Sequence, residues 1–211
     1  MNETTLMRIR VTYAKHSELR YTGHLDLQRV WERTLRRSGL PIVFSQGFNP
    51  LPKLQLASAL PLGIESVCEV MDFWLGEKLA LVDIAHQLNA ALPPGLKIND
   101  LQETELRGPA LETQLKSAEY RVTYRDPVDL KWIEKKVTEV LAANSLPRER
   151  RGKAYDLRPL IEELRVEPDG SLWMKLAIRP GATGRPEEVL NALDLDWQST
   201  KITRNNLDII K

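Results

Sequence analysis

The amino-acid sequence predicts an α+β chain in which a βαββαβ order of elements is used twice. Two features lead there: runs that alternate apolar and polar residues are separated by runs with helical spacing, and one alternating run returns halfway along the chain. The order Met-Arg-Ile-Arg-Val-Thr-Tyr from Met7 to Tyr13 is echoed by Ala-Glu-Tyr-Arg-Val-Thr-Tyr from Ala118 to Tyr124. A chain of 211 residues has room for two small domains of this kind.

Met7 to Tyr13 reads as a half-buried strand. In the helix that follows, Leu27, Val30, Trp31 and Leu35 recur at spacings of three and four, Asp26 suits the N-terminal end, and Gly39 with Pro41 stops the run. Ile42 to Ser45 reads as a short strand, Gln46 to Pro52 as a turn-rich loop, and Lys53 to Leu60 and Val67 to Leu75 as two further strands. Ala80 to Leu92 has helical periodicity closed by Pro93-Pro94-Gly95, and Leu96 to Leu101 completes the first unit. A polar connection, Glu103 to Lys116, leads to the second alternating strand.

The same order then repeats. Asp129 to Ala143 reads as a helix with Trp132, Ile133, Val137, Val140 and Leu141 inward, and Ala154 to Glu167 includes an extended segment. Glu167 to Ser171 is a hairpin turn, because Asp-Gly tolerates the positive φ of a tight turn, and Leu172 to Ile178 pairs back. Pro186 suits a first helical position with Glu187 and Glu188 beside it, and Lys201 to Ile209 closes the unit. The expected architecture is two tandem ferredoxin-like βαββαβ lobes, residues 1–104 and 117–211, each sheet covered on one face by two helices.

Composition narrows the function. Hydrophobic residues at 42% and charged residues at 28% are ordinary for a globular chain, and a mean hydropathy of -0.34 excludes a mostly membrane-embedded one. No window holds a spanning run, and Met1 to Thr5 has none of the basic and apolar regions of a signal peptide, so a cytoplasmic protein without a membrane partner is expected. Cys68 is the only cysteine, which forbids an internal disulfide and a thiolate cluster; it is expected to pack as a small buried hydrophobe. His16, His24 and His86 are scattered, so no metal site is expected.

Three segments could carry chemistry. Arg29, Arg33, Arg36 and Arg37 lie along the outer stripe of the first helix, where guanidinium forks suit phosphate or carboxylate; the plain alternative is a solvated face neutralised by Asp26 and Glu32. The loop of Gln46, Gly47, Phe48, Asn49 and Lys53 is longer than a hairpin needs, with Phe48 available to stack on a base unless it is buried beneath the loop. Arg148, Arg150, Arg151, Lys153, Tyr155 and Arg158 interleave basic residues with an aromatic ring in a polar connection, a combination suited to single-stranded nucleic acid. His24, beside Tyr21 and before the first helix, is the single candidate catalytic residue, as a general acid or base; a cap or core role is the alternative.

Leu-Arg-Tyr-Thr-Gly-His-Leu-Asp-Leu from Leu19 to Leu27, Arg-Arg-Ser-Gly-Leu-Pro from Arg36 to Pro41, Ser-Gln-Gly-Phe-Asn-Pro from Ser45 to Pro50 and Leu-Pro-Leu-Gly from Leu60 to Gly63 together resemble the radical SAM-associated, or radical SAM-linked, bacterial family of unknown function. The resemblance runs from about Met7 to Ile178. It implies a domain fused behind, or encoded beside, radical SAM proteins with cobalamin-binding regions. Any iron–sulfur cluster, S-adenosylmethionine or cobalamin would then sit in a partner enzyme, since this chain lacks the three-cysteine motif. Leu51 stands where that family's loop usually has a histidine, which weakens any catalytic or metal-binding role there.

The leading expectation is an accessory protein that binds RNA, or another phosphate-rich substrate, and presents it to a radical SAM partner. One rival is a metal-independent endoribonuclease using His24, similar in topology to CRISPR repeat-processing enzymes. The other is a protein-docking module that never touches nucleic acid. Fold-level analogy alone does not license the nuclease activity.

Overall fold

The computed structural model describes residues 6–150, 152–179 and 181–210. Met1 to Thr5, on which the reading of the start of the chain rests, and Arg151 of the basic segment lie outside the described residues. The chain is mixed α+β and divides into two compact units, Met1–Gln114 and Leu115–Lys211. Among the described residues, four α-helices occur, and every strand pairing within a unit is antiparallel.

In the first unit the elements are β1 (Met7–Lys15), α1 (His24–Arg37), β2 (Leu54–Leu56), β3 (Glu65–Leu75), α2 (Leu81–Ala91) and β4 (Leu96–Thr104). The sheet runs β2, β3, β1, β4. Alternation sends Met7, Ile9, Val11 and Tyr13 to one face, where they join Met71, Phe73 and Leu75 of β3. That face is covered by Leu27, Trp31 and Leu35 of α1 and by Ile84 and Leu88 of α2. Trp31 meets Tyr13 edge to face at 4.8 Å between ring centroids.

The other face of β1 is not solvated, and there the half-buried reading is corrected. Arg8 is 2% exposed, and Asp72, directly opposite Arg10 on β3, receives both guanidinium groups at 2.6–2.9 Å. Arg8 also donates to the carbonyls of Gly108 and Pro109 at 2.9 and 3.0 Å, and Arg10 to Gln114 Oε1 at 3.3 Å. The polar connection thus folds against the first unit. Polar residues alternating along a strand look solvent-facing until a covering segment supplies their partners.

The expected strand Ile42 to Ser45 is replaced by single bridges, Ile42 to Leu75 and Phe44 to Pro52, and the one expected over Lys53 to Leu60 shrinks to Leu54–Leu56. Pro41, Pro50 and Pro52 have no N–H to donate, so a long ladder cannot form. Cys68 is only partly buried, with Ser66 Oγ 3.7 Å from its sulfur.

The second unit contains β5 (Leu115–Tyr124), α3 (Leu130–Ala142), β6 (Pro147–Arg150), β7 (Lys153–Asp156), β8 (Ile161–Val166), β9 (Leu172–Arg179), β10 (Ala182–Thr183), α4 (Pro186–Ala192) and β11 (Thr200–Ile209). Its main strands pair in the order β8, β9, β5, β11. Asp129 caps α3 by accepting from the N–H groups of Lys131 and Trp132. Ile133, Val137 and Val140 are buried, but Trp132, expected inward, is 38% exposed and lies beside Lys136. The turn closes as expected, with Glu167 N–H donating to Ser171 O at 2.8 Å and Gly170 at φ +82°. The basic stretch after α3 is not an irregular connection; it is the β6–β7 hairpin.

Candidate functional site

Helix α1 forms because its apolar positions share one stripe, which leaves Leu25, Asp26, Arg29, Arg33, Arg36 and Arg37 exposed on the other side. The arginines differ in what they touch. Arg29 pairs with Asp26 at 3.0 Å, with both side chains well exposed. Arg36 donates to the carbonyl of Pro50 at 3.0 Å, and Arg37 to that of Ala91, the last residue of α2, at 2.7 Å. Arg33 has no hydrogen-bond or ion-pair partner among the described residues. Carbonyl partners orient a guanidinium without cancelling its charge, so Arg33, Arg36 and Arg37 leave this face cationic. Glu32 is turned inward, where Gln28 donates to it at 3.0 Å, and does not neutralise the face.

The bond from Arg36 to Pro50 fastens the Gln46 to Lys53 loop to the end of α1. Across its base, Ser45 N–H donates to Leu51 O at 2.8 Å and Leu51 N–H to Ser45 Oγ at 3.1 Å. Gly47 at φ +135° reverses the tip, a conformation costly for other residues. Gln46, Phe48 and Asn49 are exposed there, and Phe48 is 106% exposed, so the alternative of a buried Phe48 is overturned. Lys53 lies further back, its Nζ 4.5 Å from the Trp74 ring centroid.

Two segments quoted for the resemblance converge at the other end of α1. Gly63 N–H donates to Arg20 O at 3.0 Å, and a Cβ on Gly23 would stand 3.9 Å from Leu62. Around this junction Tyr21, Leu25 and Leu62 are exposed by 70%, 69% and 54%. Reading the residues one by one did not single out this apolar patch, because Tyr21 and Leu62 are far apart in sequence. His24 is the first residue of α1; its Nδ1 is shielded from solvent and has no hydrogen-bond partner, and no side chain caps the helix. It is therefore no cap.

In the β6–β7 hairpin, Arg148 is opposite Tyr155 and Arg150 opposite Lys153. Alternation puts these four residues on one face of the ribbon, with Glu149 on the other. Arg158 is set apart from them: it donates to Leu141 O at 3.0 and 3.2 Å and to Ile161 O at 3.1 Å, holding the end of α3. Arg148 has Glu188 of α4 at 3.8 Å. Burial pushes the Tyr155 hydroxyl above its ordinary pKa, and the charge of Glu188 adds to this. Facing the hairpin are Thr183 and Arg185, which sequence reasoning missed; the signal was the glycine-rich turn that precedes α4.

Among the described residues, no group of three or more His, Cys, Asp and Glu side chains is placed to hold a metal ion, and no helix is long and apolar enough to cross a membrane. The model of a family described as "Uncharacterized protein conserved in bacteria (DUF2344)" matches residues 8–186. No curated protein matches the chain.

Proposed function

We propose that this chain, which belongs to the DUF2344 family, is an accessory protein that holds single-stranded RNA on the exposed face of α1 and presents it to a radical SAM enzyme. The observation that carries this reading is the cationic face itself: Arg33 without a hydrogen-bond or ion-pair partner among the described residues, and Arg36 and Arg37 held by carbonyl oxygens, with Arg36 over the Phe44 ring, beside a fully exposed Phe48. Guanidinium groups follow a phosphate backbone while an exposed ring stacks on a base, which is how single strands are held without reading a groove. The apolar patch of Tyr21, Leu25 and Leu62 supports a protein contact at the far end of the same helix. The partner supplies the iron–sulfur cluster, S-adenosylmethionine and cobalamin. Both units are ferredoxin-like lobes in this reading, supported by the shared order β2, β3, β1, β4 and β8, β9, β5, β11, with the β6–β7 hairpin and β10 as additions.

Anisotropy titration of a labelled single-stranded RNA over a salt series tests the reading. Affinity should fall with a log–log slope of about -0.7 per phosphate contacted. Arg29→Glu with Arg33→Glu should lower affinity across sequences and flatten the slope, and Phe48→Ala should cost about 1–3 kcal/mol of binding. Both variants should melt like the parent, because neither alters a buried contact. A parent that binds no RNA at low salt, or a double-glutamate variant that binds as well as the parent, would leave protein docking as the function of this face.

A further inference from the structure

The second unit contains an open cleft of about 550 Å³ between the β6–β7 hairpin and the segment from Gly181 to Arg185. Arg150, Lys153 and Tyr155 line one side, and Ala182, Thr183 and Arg185 the other. We propose that this cleft is a binding site for a single nucleotide unit, held by its phosphate between Arg150, Lys153 and Arg185 with its base against the ring of Tyr155.

The argument starts from the hairpin. A two-stranded ribbon with a polar face needs no run of cations, yet three of the four residues that share one face, Arg148, Arg150 and Lys153, are cationic, and Arg150 and Lys153 line the cleft with Tyr155. The acids at the start of α4 divide these charges. Glu188 takes Arg148 at 3.8 Å, and Glu187 lies 3.6 Å from Arg185. The side chains of Arg150 and Lys153 have neither ion pair nor hydrogen bond among the described residues. Their repulsion across the hairpin is relieved by an anion placed between them, and Thr183 offers a hydroxyl on the opposite wall.

Volume and aromatic character select the ligand class. A bare phosphate would leave most of the cleft as water, whereas about 300–1,000 Å³ is the size of ordinary small-molecule sites. Tyr155 is half-buried, so its ring is positioned before any ligand arrives and loses little freedom on stacking. Ala154 and Ala182, which also line the cleft, keep the walls clear of bulk.

This site lies wholly in the second unit and stands without RNA binding by α1. Calorimetric titration of the full chain with adenosine 5′-monophosphate, adenosine and inorganic phosphate tests it. The monophosphate should bind one per chain and at least about tenfold more tightly than either half, since both charge-assisted bonds and stacking are then used. Arg150→Glu with Lys153→Glu should weaken it by at least about tenfold. Tyr155→Ala should weaken it by about 5- to 150-fold. Arg29→Glu with Arg33→Glu should change nothing here, so loss of the RNA reading and loss of this one are separable. The proposal is overturned if the monophosphate fails to saturate in the millimolar range, if inorganic phosphate binds as tightly, or if the Arg150 and Lys153 variant melts like the parent and retains parental affinity.

Discussion

Strand β1 and helix α1 both carry arginines at regular spacing, and the two sets end in opposite environments. Arg8 and Arg10 are drawn into the unit, where one carboxylate, Asp72, and the carbonyls of Gly108 and Pro109 take up their donors. Arg29, Arg33, Arg36 and Arg37 stay on the surface with an exposed acid, two carbonyls and, for Arg33, nothing among the described residues. Both sets are strongly basic when read as sequence. A guanidinium marks a binding surface only where no carboxylate is buried with it, so the number of arginines is a poor guide and their partners a good one. The basic segment from Arg148 to Arg158 repeats the contrast over a few residues, since Arg158, just after the β6–β7 hairpin, braces α3 while Arg150 in the hairpin lines a cleft.

The largest effect separates the buried set from the exposed one. Asp72→Ala leaves two guanidinium groups without their counter-ion inside the unit and should cost about 3–5 kcal/mol in denaturant unfolding, or prevent folding. Arg33→Ala should stay within about 0.5 kcal/mol of the parent in the same measurement. If the Asp72 variant proves as mild as the Arg33 variant, water reaches Arg8 and Arg10 and the distinction fails.

A smaller effect divides the basic segment from Arg148 to Arg158. Arg158→Ala removes three donated bonds to carbonyls and should cost about 1.5–3 kcal/mol, because hydrogen bonds from charged donors are the stronger kind. Arg150→Ala should leave unfolding unchanged while weakening adenosine 5′-monophosphate. Equal losses of stability at the two positions would mean that Arg150 is structural as well.

The smallest effect concerns pH. Asp156 accepts from Leu146 N–H at 2.7 Å and from Arg158 N–H at 3.0 Å, and these bonds, the first before the second, hold its carboxyl below the ordinary range. A carboxylate whose pKa is lower folded than unfolded adds stability that is fully present above an unfolded value of about 3.9 and disappears as pH falls through the folded value. The melting temperature of the parent should therefore exceed that of Asp156→Ala at neutral pH, and the gap should close below about pH 4. A gap constant from neutral to acid pH would show that the bonds do not favour the ionised form.

How much could be read beforehand varies with burial. Helix α1 was legible in full, since Leu27, Trp31 and Leu35 mark one face and the exposed arginines are what remains. The hairpin was not, because Pro147 to Asp156 has no apolar alternation; a ribbon that buries neither face has no hydrophobic period to read. The loop around Phe48 was legible as a shaped loop, but its bridges could not be counted from proline positions alone.

The sequence by itself determined the order of the long elements, the turn at Asp169-Gly170, the absence of paired cysteines and the stripe on α1, because each depends on residues that are neighbours along the chain or one helical turn apart. Only the tertiary structure decided that Arg8 is buried, that Arg20 meets Gly63, that Trp132 faces outward, and that Arg150 and Lys153 look across a cleft at Arg185. Those facts depend on pairs of residues brought together by strand register and by covering segments, and nothing local in a side chain's own stretch of sequence states which distant carboxylate, carbonyl or ring will stand opposite it.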